Sequence, residues 1–149
     1  MEAIIAIAVM SIVVSGVISV FPFLLKSGLT TLDRIQATLL LEEGIESIKL
    51  MRDSSWHNNI EPLTAGYSYY FEFATSTWRA TTTSIVVDDL FYRTFVLESV
   101  SRDSNEDIVS NGGTLDPDTK KVTVSISWTK QGITTTRSIS SYVMNLHDN

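Results

Sequence analysis

Cysteine is absent from the 149-residue sequence, so neither a disulfide framework nor a thiolate metal site can form. Basic residues are few: 11 Lys and Arg stand against 17 Asp and Glu, and the formal net charge is −6. An acidic chain without a basic cluster lacks the electrostatic footprint that nucleic acid or an anionic membrane surface requires. We therefore expect no direct nucleic-acid partner.

Sequence patterns typical of catalysis are also missing. The only histidines are His57 and His147, and no GxSxG, HExxH or P-loop spacing occurs. Both histidines are expected to lie at the surface rather than in a catalytic site. We predict that the chain is not an enzyme.

What the sequence does contain is a long apolar run at its start. From Ala3 to Leu25 there is no charged side chain, and the flanking charges are Glu2 and Lys26. At about 1.5 Å per helical residue the run is long enough for the roughly 30 Å hydrocarbon core of a bilayer. It has neither the basic start nor the small-residue cleavage site of a secretory signal peptide.

Two features within or beside this run do not suit a plain membrane anchor. Glu2 stands at its edge, where an acidic side chain normally has a function and a partner such as an α-amino group. Gly16 and Pro22 make the stretch to Gly28 a place where a helix could bend or unwind. The alternative is an ordinary signal-anchor with a kink near its end.

A second, amphipathic helical stretch is predicted for residues 29–53. Its apolar stripe is assigned to Leu32, Ile35 and Leu39, continued by Leu41, Ile45 and Ile48. Thr30 or Thr31 is the expected cap at its start, and residues 53–55 end it. The sequence thus predicts an N-terminal helical arm over residues 1–53, with residues 1–25 long and apolar enough to cross a membrane.

Residues 54–149 are predicted to form a C-terminal β-sheet domain. Alternating aromatic residues from Tyr67 indicate one strand, and residues 91–100 indicate another. Residues 121–128 and 133–143 are expected to pair as a hairpin across Lys130-Gln131-Gly132. Between the first two strands we expect a loop with a short strand near Ile85. The fold class is α+β: a helical stalk whose amphipathic half packs on an antiparallel sheet.

Four segments carry a family resemblance. The opening MEAIIAIAVMSIVVSG resembles the start of mature type IV pilins and type II secretion pseudopilins. LLLEEGIESIKLMRDSSWHNN is similar to a segment of an EEGIE-containing subset of bacterial pilins. FYRTFVLESV and KKVTVSISWTKQG resemble the later strands of that subset.

The resemblance implies roles for individual residues. Glu2 matches the glutamate that sets the register of incoming pilin subunits by neutralising a neighbour's N-terminal amine, here the amine of Met1. Gly16 and Pro22 match positions where assembled pilins lose helical structure. Pilins usually begin with Phe and carry several residues before the glutamate, whereas only Met1 precedes Glu2. Both a divergent start and further mature residues before Met1 fit this difference.

The function that the resemblance implies is that of a major pilin. Such a subunit is processed by prepilin peptidase, resides in the cytoplasmic membrane among lipids, and is polymerised with copies of itself by the pilus assembly machinery. The product is a cell-surface filament that serves adhesion or motility. The alternatives are a minor pilin, a secretion pseudopilin, and a monomeric membrane-anchored binding module.

A calcium site is a weaker hypothesis. Asp103, Asn105 and Asp107 place oxygen ligands at alternate positions, as in the first half of a calcium loop, and further aspartates follow at 116 and 118. The expected glycine is replaced by Ile108, and a solvated acidic turn is the favoured interpretation. No other cofactor is expected.

The aromatic residues of the sheet domain are expected to form its core rather than a platform for a ligand. They are Tyr67, Tyr69, Phe71, Phe73, Trp78, Phe91 and Trp128.

Overall fold

The computed structural model describes residues 1–146, apart from the side chains of Lys26 and Leu29. It has a long N-terminal helix followed by an antiparallel sheet, so the predicted α+β class is confirmed. By internal contacts it divides into two units, Met1–Gln36 and the remainder from Ala37. The elements are α1 (Glu2–Ser54), α2 (Trp56–Asn59), β1 (Ser68–Ala74), β2 (Thr77–Thr81), β3 (Val86–Val87), β4 (Phe91–Arg102), β5 (Ile108–Val109), β6 (Thr114–Lys130) and β7 (Ile133–Met144).

The predicted start of a second helix near residue 30 is wrong, because α1 is continuous from Glu2 to Ser54. Thr31 does not cap a helix N-terminus; its hydroxyl donates to the carbonyl of Ser27, 3.0 Å away, inside the helix. The predicted end is confirmed. Ser55 breaks the helix with extended backbone and caps the short α2 by accepting a hydrogen bond from the Asn58 backbone N–H.

The sheet follows the order β2-β1-β4-β6-β7, and β3 and β5 each pair with β4. All the pairs are antiparallel. The predicted β6–β7 hairpin is confirmed with the register Lys130↔Ile133. Its two turn residues, Gln131 and Gly132, both have positive φ, as a tight hairpin turn whose twist matches its strands requires.

The core lies between the second half of α1 and one side of the sheet. Fully buried side chains of β4 and β6, including Phe95 and Val124, face Ile48 and Met51 of the helix. Trp56 of α2 and Ile60 close the same core. The predicted packing of an amphipathic helix on the sheet is therefore confirmed for the part of α1 that follows Ala37.

The predicted apolar stripe is correct in its second half and wrong in its first. Ile45 and Ile48 are buried, and so is Leu41, but Leu32, Ile35 and Leu39 are 53–61% exposed. A period of 3.6 residues fits two faces here, because leucine and isoleucine occur on both sides of the helix. The buried residues in this part of α1 are Asp33, Ala37, Leu40, Leu41, Gly44, Ile45, Ser47, Ile48 and Met51.

Two further expectations for the sheet need correction. Thr77–Thr81 was expected in a loop but forms strand β2, whereas the expected short strand is present at Val86–Val87. Among the aromatic residues, Phe71, Phe91 and Trp128 are buried, and Tyr69 and Trp78 pack partly buried against the core. Tyr67, which precedes β1, is 51% exposed, and Phe73, next to the last residue of β1, is 61% exposed.

Candidate functional site

The first candidate site is the exposed apolar part of α1. Every side chain from Met1 to Leu25 is exposed, with values such as 71% for Ile4 and 72% for Phe23. Removing so many apolar side chains from water would lower the free energy of the system. No residue that the structure describes covers them. In the part of the chain that the structure describes, α1 is the one helix long and apolar enough to cross a membrane.

Serines within this segment are compatible with an apolar environment, because their hydroxyls bond to the helix itself. Ser11 donates to the carbonyl of Ile7, and Ser15 donates to that of Ser11 at 2.7 Å. Ser19 donates to the carbonyls of Ser15 and Gly16. Such back-bonding leaves no hydroxyl hydrogen to be satisfied by solvent.

The two helix-breaking candidates lie inside an unbroken helix. Pro22 lacks an N–H, so the carbonyl four residues earlier, at Ile18, has no helical donor. A Cβ added to Gly16 would meet no atom within 4 Å, and the glycine leaves a shallow apolar depression beside Val17 and Val20. The chain thus keeps its helix at both positions, and unwinding in a filament stays a prediction.

Glu2 is the first residue of α1, and its side chain is exposed. An acidic side chain in the first turn interacts favourably with the positive end of the helix dipole. The Met1 carbonyl accepts the first helical hydrogen bond, from the N–H of Ile5 at 3.3 Å. The role of Glu2 and of the Met1 amine in setting register stays a prediction.

The EEGIE segment has clear structural roles. Glu43 forms an ion pair with Arg93 of β4, with 2.7 Å between the carboxylate Oε2 and the guanidinium Nη1. A Cβ added to Gly44 would stand 2.7 Å from Cγ1 of Val124, so glycine permits close contact between the helix and the sheet. Glu46 pairs with Lys49 at 2.6 Å, as their spacing predicts.

Sequence reasoning missed Arg93, which is only 5% exposed on the inner side of β4. Its guanidinium carbon lies 4.9 Å from the ring centroid of Phe71 and 5.3 Å from that of Trp78. Its Nε has no hydrogen-bond partner. The alternation of β4 places residue 93 inside between Phe91 and Phe95, and that spacing was the available signal.

The calcium candidates are used for the turn itself. Asp103 Oδ1 accepts hydrogen bonds from the backbone N–H groups of Asn105, at 2.8 Å, and Asp107, at 3.1 Å. Among residues 1–146 no three His, Asp or Glu side chains come together in a way that could hold a metal ion. Calcium binding at these residues stays a hypothesis.

The adjoining loop is organised by Arg102. Its Nε donates to Asp116 at 2.7 Å, and its Nη1 donates to the Glu106 carbonyl at the same distance. The hydrogen bond from Arg102 is the main cause that lowers the pKa of Asp116, and Thr119 adds to it. The Arg102–Asp116 ion pair therefore has a structural role, which is to hold this loop together.

Of the two histidines, His57 lies in the part of the chain that the structure describes. His57 Nδ1 lies against the Glu61 carboxylate one turn further along the chain, and half of the His57 side chain is exposed. His147 lies outside the described residues.

Fold and exposed helix together define a class: an α+β protein with a sheet domain and an apolar N-terminal helix able to cross a membrane. Comparison with protein-family models, with curated proteins and with solved structures found no match.

Proposed function

We propose that the chain is a structural subunit, a major pilin, of a type IV pilus filament. The observation that carries the proposal is an uncovered apolar helix, Ala3–Leu25, on a chain whose sheet domain already has a complete core. Membrane lipid would cover this helix before assembly. Afterwards, the same helices of neighbouring subunits would cover it in the core of a cell-surface filament.

Magnitudes explain why the apolar helix needs a cover, whether lipid or neighbouring helices. Each aliphatic side chain that passes from water into an apolar environment contributes about 1.5–3 kcal/mol, whereas an exposed ion pair contributes about 0–1 kcal/mol. Extraction from lipid exchanges one apolar environment for another, so close packing must supply the preference. The depression at Gly16 gives a neighbouring side chain a place to insert.

Glu2 supplies the register in this proposal. A carboxylate in a dry, packed environment is penalised unless a partner of opposite charge lies beside it. Packing in which the Glu2 carboxylate meets the α-amino group of a neighbour is therefore favoured over packing shifted by a residue or a turn. The interaction would select one geometry among many apolar ones.

The sheet-packed half of α1 also retains exposed apolar residues. Leu39 and Leu50 are 60% and 56% exposed, on the side away from the buried Ile48. They add exposed apolar surface to the sheet-packed half of the helix. We propose that they contact neighbouring subunits in the filament.

The test is the substitution Glu2→Ala, with Glu42→Ala as its control. Glu42 is an exposed glutamate of the same helix, in the part that packs on the sheet. We expect Glu2→Ala to abolish surface filaments or reduce them at least about tenfold, because an apolar contact without the ion pair loses its register. Glu42→Ala should leave filament yield near the wild-type value.

Two controls separate assembly from folding and targeting. Immunoblots of membrane fractions should show equal amounts of all three proteins, and limited proteolysis should show an intact sheet domain in each. Wild-type filament yield from Glu2→Ala would remove the proposed role of Glu2. Absence of filaments from the wild type itself would instead favour a monomeric membrane-anchored module, for which Glu2 is dispensable.

A further inference from the structure

The side of the sheet that faces away from α1 is covered with hydroxyl groups. Alternate residues of β6 and β7 point to this side. On β6 the residues in between, such as Val124, are buried, and the register with β6 places the β7 residues on the same side. On β6 the outer residues are Thr123, Ser125, Ser127 and Thr129. On β7 they are Thr134, Thr136, Ser138 and Ser140.

Strand register aligns these groups into rows that cross the sheet. One row carries one hydroxyl-bearing residue from each strand of the order β7-β6-β4-β1-β2: Ser138, Ser125, Thr94, Tyr70 and Thr81. Neighbouring strands lie about 4.8 Å apart, so this row is about 19 Å long. We call the outer side of these five strands the hydroxyl face.

Hydroxyl groups on this face keep capacity to bind a ligand. Thr123 and Ser140 share a hydrogen bond of 2.8 Å across the strands, and so do Thr129 and Thr134. Each such pair uses one of its two hydrogens and one of its lone pairs, which leaves a donor and several acceptors. The face can therefore give and accept hydrogen bonds at regular intervals.

Charges on the face occur as opposite neighbours. Lys121 lies 3.0 Å from Glu98 on the adjacent strand, and Glu72 is directly opposite Arg79. The hydrogen bond to Glu98 raises the pKa of Lys121, as expected for a paired ammonium group. A face with balanced charge gives no attraction for nucleic acid, anionic lipid or an acidic polymer.

Tyrosines complete the surface. Tyr92 and Tyr142 are 44% and 50% exposed on the hydroxyl face, and Tyr70 lies in the row described above. An exposed tyrosine offers a flat apolar ring and a hydroxyl, with only two side-chain torsions to fix. Few aliphatic side chains stand among them, so the face lacks the apolar centre typical of an interface with a second protein.

We propose that the hydroxyl face binds an extended, uncharged polysaccharide. Sugar hydroxyls would exchange hydrogen bonds with the Ser and Thr rows, and the faces of sugar rings would stack on Tyr92 and its neighbours. The inference does not rest on filament assembly, because the face belongs to the sheet of a single subunit.

The test is co-sedimentation of the full chain with insoluble polysaccharides. The protein is held in a detergent without a sugar headgroup and mixed with microcrystalline cellulose, chitin or cross-linked polygalacturonate. We expect retention on at least one of the two neutral polysaccharides in 1 M NaCl, and none on the acidic one. The variants are Tyr92→Ala and the nearly isosteric Thr94→Val, with Tyr67→Ala as control, since the Tyr67 ring contacts Tyr69 outside the hydroxyl face.

We expect Tyr92→Ala to raise the apparent Kd about tenfold and Thr94→Val to raise it about threefold. Tyr67→Ala should leave the apparent Kd unchanged. Thr94→Val keeps the shape and strand propensity of threonine, so we expect the variant to fold, and weaker binding would then report the loss of the hydroxyl group. Failure of the wild type to bind either neutral polysaccharide would overturn the proposal, as would wild-type binding by both variants. The proposal would also be overturned if the wild type sedimented without polysaccharide and Tyr92→Ala did not. That result would identify a second copy of the chain as the occupant of the face.

Discussion

Gly44 offers a sharp test of how α1 is held on the sheet. In an ordinary helix interior, replacing glycine by alanine stabilises by about 1 kcal/mol, because alanine has less conformational entropy to lose. Here the added Cβ would stand 2.7 Å from Cγ1 of Val124, with Arg93 Cδ at 3.5 Å and Phe71 Cζ at 3.6 Å. The substitution therefore raises the helix propensity of residue 44, which is favourable, and makes its Cβ overlap Val124, which is unfavourable.

The overlap is expected to prevail. Val124 is fully buried and β-branched, so it can neither swing into solvent nor change rotamer freely. Overpacking of a well-filled core costs about 1–3 kcal/mol, which leaves Gly44→Ala destabilised by about 1 kcal/mol after the helix gain. A loss of this size lowers the thermal midpoint by about 4–8 °C in a small domain.

The assay is thermal and urea unfolding of the full chain in detergent, followed by fluorescence of the buried Trp56 and Trp128. Gly28→Ala is the matched control, because its Cβ would meet no atom within 4 Å. A double-mutant cycle with Val124→Ala should show a coupling of about 1 kcal/mol or more, since removing the valine methyls relieves the overlap. Stability of Gly44→Ala equal to or above the wild type would refute the reasoning.

Two other predictions concern the ion pairs of the sheet domain. Glu43→Gln leaves the guanidinium of Arg93 without its counter-charge, so we expect the free energy of unfolding in urea to fall by about 1–2 kcal/mol. The loss is smaller than for a fully buried pair because half of Glu43 is exposed. Unchanged stability would contradict this prediction. Arg102 lowers the pKa of Asp116, so ionised Asp116 stabilises the fold above the ordinary aspartate pKa of about 3.9, and this stabilisation is lost as pH falls through the lower folded value. Asp116→Asn should therefore be less stable at pH 7 and decline less steeply below about pH 4 in thermal melts, whereas an acid decline identical to the wild type would exclude this role.

The sheet was largely predictable because its signals are local. Val122, Val124 and Ile126 alternate with polar residues, and Gln131-Gly132 is a two-residue turn between two such runs. Strand β2 was missed because only Trp78 and Ala80 on it are apolar. Its pairing depends on β1, which a local pattern does not show.

The packing of α1 was harder to predict. Leu32 and Ile35 carry the same periodic signal as Ile45 and Ile48, and only the position of the sheet decides which face is buried. Arg93 was missed for a related reason. A charged residue in a buried position needs a partner from a distant segment, and Glu43 is 50 residues away in sequence.

The apolar segment proposed for assembly was predictable from the sequence, but what covers it was not. Hydropathy identifies the segment that follows Glu2, and the structure leaves this segment uncovered. What covers it is a property of other molecules. Neither the sequence pattern nor the structure of one chain contains contacts with those molecules. The proposed roles of Glu2, Gly16 and Pro22 therefore stay predictions.

The most direct test of the central proposal is electron microscopy of material sheared from the surface of cells that produce the chain, with mass spectrometry of its dominant protein band. The proposal predicts thin filaments in which this chain is the main component, and the spectrum would also give the mature N-terminus and any methyl group on it. Absence of the chain from sheared filaments, together with its presence in membranes, would contradict a major pilin and leave a minor pilin, a pseudopilin or a monomeric anchored module.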